Sequence, residues 1–238
     1  MLLSLLLGED PLNFLISLIL TFPIAMLALA FHETAHGYVA WKCGDPTAYN
    51  LGRLTLNPLK HIDPMGFLMM ILFGYGWAKA VPINTRNFRN PKWGMALSAL
   101  AGPAANLLLG LVSAVLFGVC RGAEIALPYL NSVPAFVITA MGWLSTAFWL
   151  GSILNFTYMV FNLIPVPPFD GSRIALVFLP PKAYFGIMRY ERQIMFGILI
   201  FMFALSYLGY SPFSWIAQKL TTVVARGPAN AVFKAILS

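Results

Sequence analysis

LNFLISLILTFPIAMLALAFHETAHGYVAW, residues 12–41, is an apolar run whose acidic and basic side chains are confined to His32, Glu33 and His36. About 20 apolar residues cross the ~30 Å hydrocarbon core of a bilayer. The run is therefore long enough to predict a membrane helix ending near Lys42, with Pro23 expected to split off an interfacial piece. Composition points the same way. Of 238 residues, 59% are hydrophobic and 10% charged, with a mean hydropathy of +0.78, where soluble domains carry about 25% charge. A chain of this size leaves about 25–30% of its unfolded surface exposed even when folded, so a soluble monomer could not hide this much apolar side chain. Lipid must solvate it. The same figures exclude disorder, which needs low hydrophobicity and many charges. Two cysteines, Cys43 and Cys120, make no disulfide framework, and there is no internal repeat or long linker.

Further spans are expected at 93–119 and 132–164, with a marginal one at 194–208. Met65 to Ala78 is apolar but too short to cross, and Gly66, Gly74 and Gly76 weaken a helix there. A re-entrant loop or β-hairpin beside a functional cavity is the expected form, since irregular backbone at membrane depth must lie against protein or water. The opening Met1 to Leu7 lacks a basic n-region and does not read as a cleaved signal peptide. Residues 211–238 interleave apolar side chains with Lys219, Arg226 and Lys234, the pattern of an amphipathic interfacial helix. The expected fold is an all-α polytopic membrane protein of about four to six transmembrane helices. One domain covers residues 1–210, and the amphipathic segment follows it.

A net charge of +7 would suggest nucleic acid in a soluble domain. Here the Lys and Arg lie between apolar runs and read as topology determinants. Lys42, Arg53, Lys60, Lys79, Arg86, Arg89 and Lys92 fall between the first two spans, Arg121 alone follows the second, and Arg173, Lys182, Arg189 and Arg192 follow the third. The positive-inside rule places the first and third connections in the cytoplasm.

His32-Glu33-Thr34-Ala35-His36 carries the chemistry. Residues four apart share one helix face, so the two imidazoles can hold one Zn²⁺. Glu33, rotated from them, can reach a water and act as general base. An ionisable Asp or Lys within a span costs at least ~2.5–3.5 kcal/mol, so three polar groups in five residues are not there for packing. Interhelical hydrogen bonds or a proton relay are the bland reading. Metal binding compensates the cost better.

A catalytic zinc site wants a third protein ligand, leaving the fourth position to water. His32 and His36 lie about 9–15 Å from the cytoplasmic end of the helix at 1.5 Å per residue. Glu9, Asp10 and Glu124 are then on the wrong side. Asp170 follows Pro165-Val166-Pro167-Pro168-Phe169, a stretch expected to be extended backbone because three prolines cannot continue a helix. Spacing alone leaves Asp45, Asp63 and Glu191 open beside it, and His61 as a spare ligand or, more simply, an interfacial residue of the basic loop. Within the second span, Ala101-Gly102-Pro103-Ala104-Ala105-Asn106 offers small residues for close helix approach. Asn106 and Asn162 are amides that could bind substrate backbone or an oxyanion, or simply bridge helices.

Taken together, His32 to His36, Gly102 to Asn106 and Asn162 through Gly171 resemble the site-2 protease family of intramembrane zinc metalloproteases. Gly52 to Pro58 and Gly76 to Pro82 resemble the membrane-associated strands of its compact bacterial branch. The resemblance implies one Zn²⁺ per chain held by His32, His36 and Asp170, with Glu33 activating water. It implies substrates that are transmembrane segments of other membrane proteins, and a multi-pass protein of a bacterial inner membrane whose active site lies toward the cytoplasm. The chain has no room for the PDZ or CBS domains of larger members. Two rival readings remain: a catalytically silent protein that shields membrane clients, and a metal-handling transporter, which would leave Glu33 beside paired histidines unexplained.

Overall fold

The computed structural model describes residues 10–73, 77–130, 133–175, 177–180, 183, 186–187, 189–208 and 212–237. Among them the regular elements are helices: α1 (Pro11–Lys42), α2 (Thr47–Asn50), α3 (Pro64–Phe73), α4 (Pro91–Ala126), α5 (Ala135–Asn162), α6 (Asp170–Ala175), α7 (Glu191–Tyr207) and α8 (Pro212–Leu237). Three of these are long and apolar enough to cross a membrane: α1 from Leu18, α4 extended to Tyr129, and α5. Only 17–33% of the most apolar stretch of each is buried inside the protein, which leaves lipid as the solvent for the rest. The expected marginal span at 194–208 lies in α7, a helix of 17 residues.

α1 begins where Asp10 accepts the Leu12 amide at 3.1 Å, with Pro11 in the first turn, where its missing N–H costs nothing. It ends at Lys42 because Gly44 turns with φ 114°, in the left-handed region. Pro23 does not split this helix, contrary to expectation. Breaking the helix would strand several backbone groups in an apolar setting, whereas one proline removes a single hydrogen bond. At its end the Lys42 ammonium lies 4.6 Å from the Trp41 ring, and Trp41 stacks on Tyr49 at 5.2 Å. Such aromatic clusters suit a membrane–water boundary. Arg121, expected in a connection, lies within α4 and pairs with Glu124 at 2.8 Å.

The chain forms two compact units. The first comprises residues 1–105 and 159–211. In it, buried Asp45 accepts hydrogen bonds from the amide and hydroxyl of Thr47, the Asn84 amide (2.6 Å) and the Asn87 side chain (2.8 Å). Burial alone would raise the Asp45 carboxyl pKa, but these donors outweigh it and hold the group below the usual carboxylate range. The network ties the α1–α2 turn to residues 84–87.

Three local expectations are corrected here. Of the element expected at 65–78, residues 65–73 belong to the helix α3 and are not a loop or hairpin; residues 74–76 lie outside the described set. The strands expected around 52–58 and 76–82 reduce, among the described residues, to one antiparallel bridge between Ile62 and Ala78. The 165–168 stretch is folded into turns, not extended, with the Val166 amide donating to the Ile164 carbonyl at 2.8 Å and the Phe169 amide to the Val166 carbonyl at 3.1 Å. Proline forbids helix but is at home in turns.

The second unit comprises residues 106–158 and 212–238. Ala114, Ile153, Phe156 and Ala217 form its buried centre, flanked by Leu220 and Val224. Glycines let the helices meet at backbone distance: a Cβ on Gly118 would lie 2.4 Å from the Ala225 carbonyl oxygen, and one on Gly122 2.5 Å from that of Ala229. The Ser152 hydroxyl binds the Gly110 carbonyl (3.1 Å) and the Thr221 hydroxyl (2.8 Å). The amphipathic segment is thus the helix α8, whose small face packs on α4 and α5.

Candidate metal centre and active site

The helical repeat of α1 places His32 and His36 one turn apart, and their Nε2 atoms meet at 2.9 Å with the rings edge to face. Asp170, at the start of α6, brings its Oδ2 to 3.1 Å from His32 Nε2 and 3.2 Å from His36 Nε2. Both histidines are buried. The three ligand-type atoms form a nearly equilateral triangle, the one such group of His, Cys, Asp or Glu among the described residues.

The triangle fits a zinc ion. Tetrahedral ligands at ~2.0–2.2 Å from a common metal stand about 3.3–3.5 Å apart, close to the separations seen here. The protonation pattern also fits. His36 Nδ1 faces the Ser98 carbonyl at 2.7 Å; a carbonyl only accepts, so Nδ1 carries a proton, which leaves Nε2 as the ring atom available to a metal. Asp170 Oδ2 is buried with no formed hydrogen bond. Two imidazoles and a carboxylate are a donor set that catalytic zinc uses.

Glycines bring the supports close. A Cβ on Gly102 would stand 2.5 Å from His36 Nε2 and 2.6 Å from His32 Cε1, so α4 backs directly onto both imidazoles. Ser98, one turn earlier, adds a return bond from its hydroxyl to the His36 carbonyl at 2.9 Å. A Cβ on Gly171 would lie 2.4 Å from the Leu163 carbonyl oxygen and 2.5 Å from that of Ile164. Only glycine after Asp170 lets α6 start against the end of α5.

Glu33 is half-buried and lies outside the triangle, where its Oε2 accepts the Val81 amide at 2.8 Å. The other acidic candidates have different employment. Asp45 is committed to its own network, and Asp63 accepts the Gly66 amide at 2.8 Å; the Glu191 side chain is outside the described set. His61 lies within the protein. It is 2% exposed, and its Nε2 donates to the Thr55 carbonyl at 2.8 Å.

Asn162 is half-buried at the last position of α5, in the first unit with the triangle. Asn106 belongs to the second unit, fully buried, with neither amide atom hydrogen-bonded. Sequence reading missed the roles of Gly102, Ser98 and Val81 in holding the histidines and Glu33. Gly102 did carry a signal, a glycine within an apolar helix, but it pointed only to helix packing. Ser98 and Val81 carried none.

A family model described as "Peptidase family M50" matches residues 20–208. A Bacillus subtilis (strain 168) protein named as a zinc metalloprotease, YwhC, is 34% identical over 194 residues, covering 81% of each chain. A Mycolicibacterium smegmatis protein named as the zinc metalloprotease Rip2 is 34% identical over 166 residues, 68% of this chain and 58% of its own. A similarly named protein of Methanocaldococcus jannaschii, MJ0611, is 26% identical over 188 residues, 72% of this chain and 83% of its own. No solved structure gives a significant match.

Proposed function

The chain belongs to peptidase family M50, the site-2 protease family, and is a zinc metalloendopeptidase; from that premise we propose that it cleaves peptide bonds in or near transmembrane helices of other membrane proteins. The observation that carries the proposal is the location of the triangle: His32 and His36 project from α1, a helix long and apolar enough to span. A metal centre built there serves substrates that share the bilayer. Lys42 ends α1 and six more basic residues follow it before Trp93, so by the positive-inside rule the site lies toward the cytoplasmic face of a bacterial inner membrane.

In this reading His32, His36 and Asp170 hold one Zn²⁺, which when bound supplies Lewis acidity for water and carbonyl. Glu33 takes the proton from the attacking water and returns it to the leaving amine, so that neither free hydroxide nor an amide anion has to form. The Val81 amide fixes the carboxylate in place for both transfers. Ser98 and Gly102 hold His36 in its metal-binding tautomer and orientation. Asn106 and Asn162 are proposed to bind substrate backbone or the developing oxyanion. Peptide bonds in a helix are shielded by their own hydrogen bonds, so the substrate unwinds locally before it is cut.

The test is cleavage of a single-span membrane protein co-reconstituted in vesicles. Wild type is expected to cut within or beside the span, and Glu33→Gln, which keeps shape and removes the base, to lose about 10²–10⁴-fold in rate with zinc retained. Wild-type turnover in Glu33→Gln would remove the water-activation role.

A further inference from the structure

We propose that His61 is a positioning residue for Glu33: it sets the register of the backbone whose Val81 amide holds that carboxylate. The inference rests on the reading of Glu33 as the base.

A closed circuit of hydrogen bonds leaves α1 at Thr34 and returns to it at Glu33. The Thr34 hydroxyl donates to the Thr55 carbonyl at 2.7 Å. His61 Nε2 donates to the same oxygen at 2.8 Å. The His61 carbonyl in turn accepts the Lys79 amide at 2.8 Å, next to the Ile62–Ala78 bridge. Two residues on, the Val81 amide reaches Glu33 Oε2 at 2.8 Å. Arg53 braces the circuit from its far side, with Nη2 donating to the Lys79 carbonyl at 2.7 Å. Gly37 allows the closure, because a Cβ there would stand 2.6 Å from the Leu54 side chain and 2.9 Å from that of Val81.

His61 is the joint of this circuit. Its side chain fixes the 53–62 stretch to Thr55, and through Thr55 to α1; its main chain carries the 77–82 stretch. The Thr55 carbonyl accepts only, so Nε2 is the donor in this arrangement. A side chain that served packing alone would not need a donor there. Without the donor the Thr55 carbonyl is held by Thr34 alone, residues 55–62 gain freedom, and the Lys79 and Val81 amides move with them. A base misplaced by ~1 Å can cost about 10²-fold in rate.

The experiment compares wild type, His61→Phe, His61→Gln and Glu33→Gln in the vesicle cleavage assay. Zinc content and amide hydrogen exchange of residues 77–82 are measured on the same preparations. His61→Phe keeps the ring and loses the donor. It is expected to lower kcat by about 10–100-fold with KM within about twofold, zinc unchanged and exchange at Lys79 and Val81 faster. His61→Gln restores a donor and is expected to recover most of kcat and of the protection. Arg53→Met, which removes the outer brace, gives the same signature in smaller degree and replaces His61→Phe should that variant misfold. Wild-type kcat or unchanged exchange in His61→Phe overturns the proposal, as does equal loss of rate and zinc in both His61 variants. An active Glu33→Gln overturns the role of Glu33 itself, and with it the catalytic consequence. An inactive Glu33→Gln beside a fully active His61→Phe overturns only the inference about His61.

Discussion

Gly102 lies against His36 so closely that a Cβ added to it would stand 2.5 Å from the imidazole Nε2, the atom that faces Asp170. Glycine is usually a poor choice inside a helix, less favourable than alanine by ~0.8–1 kcal/mol. In α4 it is what lets the helix backbone serve as the wall behind two ligands at once.

Gly102→Ala should therefore separate helix stability from metal binding. Alanine favours the helix, yet its methyl displaces two imidazoles, one of them already held by Ser98 at 2.7 Å. Zinc affinity should fall by about 10–100-fold, the range for disturbed ligand supports, while helix content is preserved. Competition with a chelator of known affinity measures it; wild-type affinity would contradict the wall assignment.

Asp45 predicts an acid-dependent stability unrelated to catalysis. Its folded carboxyl pKa is depressed by its hydrogen-bond donors, so the folded state binds fewer protons than the unfolded chain near that pH. Its contribution is fully present above the unfolded value of about 3.9 and is lost as pH falls through the lower folded value. Asp45→Asn should cost about 2 kcal/mol at pH 7, and the difference from wild type should shrink as pH drops below 4. Thermal unfolding in detergent across pH reads it, and a pH-independent difference would rule it out.

Gly118 tests the second unit. A Cβ there would lie 2.4 Å from the Ala225 carbonyl oxygen, a backbone atom that cannot rotate away. Gly118→Leu should push α8 off α4 and cost roughly 1–3 kcal/mol or more. Limited proteolysis should then cut within α8 faster than in wild type; equal protection would mean that the helices do not depend on this contact.

Much of this was legible in the sequence because membrane solvation imposes simple rules. Length and apolarity marked α1, α4 and α5, and the i, i+4 spacing of His32 and His36 needed only the helical repeat. Asp170 was legible from its own surroundings only as one acid among several. Its meeting with His32 is a tertiary event across most of the chain, so the choice leaned on family resemblance. Residues 64–73 misled because Gly66 argues against helix, yet a Cβ at Gly66 would lie 2.1 Å from the Trp77 carbonyl oxygen. That glycine answers a packing demand, which overrides propensity. The partner of His61 was not legible either, because the Thr55 backbone carbonyl that its Nε2 meets carries no mark in the sequence.

Zinc content, by elemental analysis of detergent-purified wild type beside Asp170→Ala, tests the three-ligand centre most directly. The account predicts about one zinc per wild-type chain, since the triangle holds a single ion, and a clear loss in the variant. Full zinc in both would take Asp170 out of the ligand set, and no zinc in wild type handled without chelators would contradict the metal centre itself.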